Sequence, residues 1–392
     1  MLTNDPLAAV VIPAHNGERH VDAAVASVRS QTLADIEIIV VDDDSTDRTA
    51  AIVDAHARLD PRIRRIEAKV GSAGAARNIG WRAARAPFVA NLDQDDLAEP
   101  ERLERQRAFL LEHGEVGLVG SFCHLVDDAG DRRGNMATLT DPADVTRSIE
   151  SGTPGRVTHA TATFRREALE QVGGYREIPG TAVEDIDLYG RVAERWQVAN
   201  LPEYLGSWRI HGGNSSLTVE NMVRWTFVVA DAARRRRAGE PDPLEGRRLR
   251  GPPSDEELAR IGVDRAAIDR ALFEAHIGWV GLLLTVGEVA DARRHLDLAM
   301  PYARELTRPR RAALGVAHAQ VEYAERRRLR AVATTAEAML TAPRVAARNL
   351  AHPVVGGLGR TVYRRLPPGV ERPARRLRSR IVGWLNGMDM SG

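Results

Sequence analysis

Asp93-Gln94-Asp95 sets two carboxylates two positions apart, just after the apolar stretch Phe88–Leu92 and shortly before Pro100. On a turn leaving a strand, such a pair can converge on one hard divalent cation, Mg2+ or Mn2+, because both take oxygen ligands. That kind of cation also binds a diphosphate and stabilises the charge that grows on it as it departs. Asp42-Asp43 is a second acidic pair. A carboxylate there can accept the imide or amide hydrogen of a pyrimidine, while Ser45 and Asp47 cap the helix that follows. Gly71-Ser72-Ala73-Gly74-Ala75-Ala76-Arg77-Asn78 is a turn of small residues entering a helix. Small residues permit close backbone approach and a helix start favours anions. Arg77 has the planar fork that holds a phosphate through two bonds. Glu184, Asp185 and Asp187 open another helix, whose dipole favours their ionised forms. An ionised carboxylate placed there can take a proton from a hydroxyl, although plain helix-start charge would account for the same acids. His159 and Thr161, on a strand-like stretch, are candidates to line an acceptor.

These residues need a scaffold, and the first 125 positions supply its pattern. Short apolar runs at Ala8–Ile12, Ile36–Val41, Ile63–Ile66, Phe88–Leu92 and Val116–Phe122 read as buried strands. Amphipathic stretches at His20–Gln31, Asp47–Ala57, Ala73–Ala84 and Pro100–His113 read as the helices between them. The alternation predicts an α/β fold with a mostly parallel sheet sandwiched by helices. In such sheets ligands sit beyond the carboxyl ends of the strands. Pro13-Ala14-His15-Asn16, Asp42-Asp43-Asp44-Ser45 and Asp93-Gln94-Asp95-Asp96 all fall at those ends. Val157–Phe164 reads as a strand, Arg166–Val172 and Glu184–Arg195 as helices, and Trp208–Ile210 as a short strand. Residues 1–217 are therefore read as the catalytic domain, 218–255 as linker and helix, 256–342 as a helical domain and 343–392 as a basic tail.

Composition narrows the partners. A net charge of +1 carries no nucleic-acid signature. The single cysteine, Cys123, excludes an internal disulfide and suits a reducing compartment. Leu7–Pro13 is too short for a secretory core and has no basic lead-in. The longest apolar run, Ile277–Val286, is about half a bilayer span. A cytoplasmic protein is expected, working at the inner face of the membrane if its tail docks there. Arg344–Leu385 holds ten arginines against one acid, Glu371, which suits either a solvated tail or contact with anionic or diphosphate-bearing lipid.

Ordered blocks of sequence resemble the family 2 glycosyltransferases of the GT-A fold. They are Val10-Val11-Ile12-Pro13-Ala14-His15-Asn16, Ser27-Val28-Arg29-Ser30-Gln31-Thr32, Glu37–Asp47, Gly74–Asn78, Leu92–Asp96, Gly173-Gly174-Tyr175, Glu184–Leu188 and Arg209–Ser215. The resemblance covers about residues 7–217 and implies a Rossmann-like catalytic domain followed by a helical C-terminal region. It implies an inverting transfer of sugar from a nucleotide-diphosphate sugar, UDP foremost, to an acceptor hydroxyl, with Mg2+ or Mn2+. The acceptor would be a glycan, a lipid-linked species or a small molecule, in cell-envelope or glycoconjugate synthesis. Pro13, Ala14, His15 and Asn16 would line the nucleotide, with Asp42, Asp43, Arg77, Asn78, Asp93 and Gln94 completing its site. Asp93, Asp95 and His211 would hold the metal, and Asp185 would be the general base. Two positions depart from the family pattern: His15 stands where tyrosine is frequent, and Asp44 where glycine is usual. Two other readings compete. A nucleotidyltransferase would want a Gly-rich basic loop where Pro13–Asn16 stands. An inactive sugar-nucleotide-binding module would lack a metal acid or the base, and neither is missing.

Overall fold

The computed structural model describes residues 5–150, 157–178, 183–214, 218–247, 249, 251–303, 307–325 and single positions between 331 and 342. In chain order the first unit runs β1 (Ala8–Ala14), α1 (Val21–Arg29), β2 (Ile36–Asp43), α2 (Thr49–Leu59), β3 (Ile63–Ala68), α3 (Ala73–Ala83) and β4 (Phe88–Asn91). It continues with β5 (Leu97–Ala98), α4 (Arg102–Glu112), β6 (Val116–Val126), β7 (Arg132–Met136) and α5 (Pro142–Glu150). A 3-10 turn at His159–Thr161 precedes β8 (Thr163–Arg165), α6 (Arg166–Val172), α7 (Glu184–Ala193), β9 (Gln197–Arg209) and α8 (Val219–Arg237).

β1 and β2 are buried along their whole lengths, which is why they read as unbroken apolar runs. Successive side chains point to opposite faces and feed separate cores. Val10, Ile12, Ile38 and Val40 meet α1 and α4 through Val25, Val28, Leu103 and Leu110. Val11, Ile39 and Val41 meet α3, α6 and α7 through Ala76, Trp81, Leu169, Leu188 and Val192. Each such side chain, fully withdrawn from water, contributes roughly 1.5–3 kcal/mol before the entropy of ordering it is counted. α3 lies hard against β1: a Cβ at Gly80 would come 2.3 Å from Val11 Cγ1.

The strand order is β3-β2-β1-β4-β8-β6-β9-β5, with β7 paired to β6. The parallel part expected from the alternation is β3-β2-β1-β4. Beyond it the sheet is mixed, because β8 runs antiparallel to both β4 and β6 while β9 is parallel to β6. Two sequence readings are revised here. Val157–Phe164 is a turn followed by a three-residue strand, since Thr161 closes back on Thr158. Trp208–Ile210 marks only the end of a 13-residue strand whose middle is interrupted by Pro202 and Glu203.

The stretch around Arg234–Pro253, expected as a linker, is fastened to the first unit where it is described. Trp225, Val229 and Ala232 of α8 share a core with Ile178, Val183 and Leu244. Arg236 pairs with Glu194 and Asp242 at 2.8 Å each. Ser254 and Glu257 form a capping box at the start of α9 (Asp255–Arg260). The chain divides into compact units after Ile268, within α10 (Arg265–Val286). The second unit also contains α11 (Val289–Ala299) and α12 (Arg308–Ala324), with Phe273 and Ala299 packed among Ile277, Tyr302 and Leu314. The arginine-rich tail lies outside the described residues, as does Ser215.

Candidate active site

The ends of β1, β2 and β4 lie side by side, and their loops interlock. Pro13 and Ala14 close β1 and are buried. The His15 N–H donates to Gln94 Oε1 at 2.9 Å, and Gln94 Nε2 donates back to the His15 carbonyl at 3.1 Å. His15 Nδ1 lies 2.6 Å from the Asp43 carbonyl, so it is the protonated nitrogen. Nε2 is then free to accept from Asn16 Nδ2 at 3.0 Å. The ring that stands in place of tyrosine is thereby fixed in orientation. Asn16 occupies left-handed backbone (φ 47°), with its N–H on Ser45 Oγ and its Oδ1 accepting from Thr46. Asp44 is also left-handed (φ 57°), which explains why glycine would suit that position; a short polar side chain tolerates it too.

The acids of the second pair divide their tasks. Asp42 is buried, accepting from the Ser45 N–H and from Arg65, both at 3.3 Å. Asp43 accepts from the N–H groups of Val70 (2.6 Å) and Ser72 (3.2 Å), which draws the β3–α3 loop over the end of β2. A carboxylate has about four lone-pair positions, so Asp43 retains capacity for one more donor.

Arg77 behaves differently from the expectation of a phosphate ligand. It is buried, and its guanidinium is held between Asp93 Oδ1 (2.6 Å) and Glu184 Oε1 (2.9 Å), above the ring of Tyr175 at 5.6 Å. Asn78, expected beside it in the nucleotide site, is a structural pin. It donates to the Tyr175 carbonyl and accepts from the Tyr175 N–H and from Trp81 Nε1. One cation thus ties the turn after β4 to the start of α7. Arg77 Nε and Glu184 Oε2 remain buried without hydrogen-bond partners.

Asp185 is the second residue of α7, half-buried, with Oδ1 accepting from the Ile186 N–H at 2.7 Å. The helix start was expected to hold it ionised. Burial and the adjacent Glu184 carboxylate outweigh that effect and push it up to about 7. Burial raises Glu184 as well, against the pull of Arg77. Asp187, expected with them as plain helix charge, is fully buried between Arg176 and Arg191.

Asp95 points elsewhere than Asp93. Its Oδ2 lies 3.0 Å from His211 Nε2 and 3.4 Å from Asn214 Nδ2. Asn214 Oδ1 in turn accepts from the His211 N–H, which sets the loop. Arg209 secures the same corner by donating to the carbonyls of Asp95, Asp127 and Asp128. The carboxylate of Asp95 and the imidazole of His211, adjacent and partly open, suit a divalent cation. Asp93, by contrast, is held by Arg77.

Around these acids stand His159 and Thr161, singled out from the sequence, and residues that were given no role there, Tyr175, Tyr189 and Arg102. Tyr175 Oη meets Asn91 Nδ2, and Tyr189 Oη lies 2.6 Å from His159 Nδ1. Burial drives His159 down to about 3 and so keeps it neutral. Thr161 is buried, bonded to the Ser121 and Thr158 backbone, and is a structural staple. Arg102 is buried behind the site and donates to the Asn91, Ala160 and Ala162 carbonyls. The two tyrosines could have been suspected from Gly173-Gly174-Tyr175 and from the spacing of Asp185 and Tyr189 on one helix face.

The model of the glycosyl transferase family 2 matches residues 9–173. Chondroitin synthase of Escherichia coli is 29% identical over 212 residues, 54% of this chain but only 30% of that protein. EpsE of Bacillus subtilis (strain 168) is 32% identical over 209 residues, 52% of this chain and 73% of that one. Among solved structures, S. aureus TarS 1–349 in complex with UDP-GlcNAc superposes with a TM-score of 0.49 at 18% identity, covering 82% of this chain and 91% of that one. The chain spans less than a third of the length of the chondroitin synthase it matches. With the strand-end carboxylates assembled as described, the family model and the match to EpsE put the chain among the glycosyltransferases, as a member of glycosyl transferase family 2.

Proposed function

We propose that the chain transfers a sugar from a nucleoside-diphosphate sugar, a UDP-sugar being the first donor to test, to an acceptor hydroxyl with inversion at the anomeric carbon. The observation that carries this reading is Arg77 held between Asp93 and Glu184, which brings the donor-side acid turn to the helix that presents Asp185. Asp185 takes the proton from the acceptor hydroxyl. The oxygen attacks the anomeric carbon on one face, and the diphosphate departs from the other with the bonding electrons. A carboxyl that titrates near neutrality suits the task, because proton transfer is most effective when its pKa lies near the working pH. Asp43 and the β1 end receive the base, and the fixed His15 ring forms part of that wall. Asp95 and His211 would hold a divalent cation, whose chemistry is to neutralise the departing diphosphate. The acceptor class is a glycan, a lipid-linked species or a small hydroxyl compound. Among the described residues no helix is long and apolar enough to cross a membrane. The ten arginines of Arg344–Leu385 support docking of the enzyme on anionic lipid at a cytoplasmic face.

A thermal-shift screen of nucleoside-diphosphate sugars with Mn2+ identifies the donor. With that donor, Asp185→Asn should lower turnover about 10²–10⁴-fold and leave donor affinity intact. Asp95→Ala should abolish the Mn2+-dependent part of nucleoside-diphosphate affinity. Turnover near the wild-type rate in Asp185→Asn would remove the base from the mechanism.

A further inference from the structure

We propose that His20, Asp128 and His211, next to Asp95, form a nitrogen-rich cation site that takes Mn2+, Co2+ or Zn2+ in preference to Mg2+. The inference rests on the reading that a cation works beside Asp95, and it adds two ligands that the acid turn itself does not supply.

The residues come from separate elements. His20 sits at the start of α1, with its N–H on the Gly17 carbonyl at 3.0 Å. Asp128 lies in the turn between β6 and β7, and His211 follows β9. One ligand atom from each of His20, Asp128 and His211 falls within 4.8 Å of the others. The two imidazole rings are 5.2 Å apart between centroids. His20 Nε2 and Asp128 Oδ1 face each other at 3.1 Å, both shut off from water, yet neither completes a hydrogen bond. A buried polar atom left in that condition costs about 1–3 kcal/mol. Asp95 Oδ2 stands 3.0 Å from His211 Nε2 and lies outside that group of three. Bonds of about 2.1 Å at right angles place neighbouring ligand atoms about 3 Å apart, which is the spacing of both pairs.

The surroundings permit a cation. Arg19 takes Asp128 Oδ2 from the exposed side and leaves Oδ1 facing His20. Arg209 is directed to the backbone carbonyls of Asp95, Asp127 and Asp128. Binding through His211 Nε2 puts the ring proton on Nδ1, so the Gly213 N–H contact to Nδ1 (3.1 Å) must open. Two imidazoles bias the metal preference: nitrogen ligands suit Zn2+ and Co2+ best, and Mn2+, though at home with oxygen, accepts them more readily than Mg2+, which demands near-ideal octahedral geometry and gives up water reluctantly.

The test titrates the full chain with each metal alone, without donor, by calorimetry and by electron paramagnetic resonance of free Mn2+. Wild type should bind Mn2+, give the visible absorption of coordinated Co2+, and keep Mn2+ against a large excess of Mg2+. His20→Asn and Asp128→Asn should each weaken Mn2+ binding about tenfold or more, with thermal unfolding confirming that both variants fold. Unchanged Mn2+ affinity in both variants, or ready displacement by Mg2+, overturns the proposal. If Asp95→Ala loses the ion while His20→Asn keeps it, the cation reading of the function stands and this ligand set fails.

Discussion

A carboxyl pushed up to about 7 is only half ionised at neutral pH, so the enzyme's acid limb should report Asp185. In the role proposed for it, a general base, Asp185 works in its ionised form. kcat/KM should therefore fall as pH drops through about 7, well above the ordinary aspartate range. After burial, the neighbouring Glu184 charge is the next cause of the upward shift. Glu184→Gln removes that charge and leaves Arg77 less neutralised, and both changes favour ionised Asp185. The acid limb of a kcat/KM profile should then move to lower pH; an unmoved limb would mean that another group sets it. At this scale the sequence exposed the acids at strand ends and the departure at Asp44. It could not expose the partners of Arg77. A guanidinium fork in a Gly-rich turn suits phosphate and carboxylate equally, and only folding shows that two carboxylates reach it first.

Among the elements, the contact of α3 with β1 governs how well the site is held. Gly80 lets the helix approach Val11 so closely that an added methyl has no room. Gly80→Ala should be net destabilising by about 1–2 kcal/mol, overpacking exceeding the gain in helix propensity. The displaced helix should carry Arg77, one turn earlier, away from Asp93. Gly190 in α7 has nothing within 4 Å of an added Cβ, so Gly190→Ala should stabilise by about 0.5–1 kcal/mol. Urea unfolding of the two variants checks the contrast. The parallel half of the sheet was legible because its strands are buried on both faces and separated by amphipathic helices. The mixed half was not. β7 is a short exposed strand, Arg132–Met136, without apolar alternation, and β9 carries Pro202 and Glu203 within its pairing.

For the molecule as a whole, acid should act on the second unit through its histidines. His276 and His295 are buried with their Nδ1 atoms 3.1 Å apart, and burial lowers His276 to about 4 and lowers His295 and His318 as well. The unfolded chain takes up protons at about 6.5, so it binds more protons than the fold between about 4 and 6.5. Stability is then complete above about 6.5 and falls as pH drops towards 4, by on the order of 1–3 kcal/mol. Calorimetric unfolding across that range should show the loss, and His276→Gln should flatten it. The division after Ile268 was not legible, because a stretch rich in proline, glycine and arginine looks like a linker even when Arg236 within it pairs with Glu194 of the same unit.

The bridge at Arg77 spans 107 positions of chain to Glu184. The stretch shared with the family model ends at residue 173, before its second anchor has been made. A chain that stops there keeps Arg77 and Asp93 but lacks Glu184, the second anchor, and Asp185, the proposed base. The closing of the Arg77 bridge and the arrival of the proposed base thus coincide along the chain.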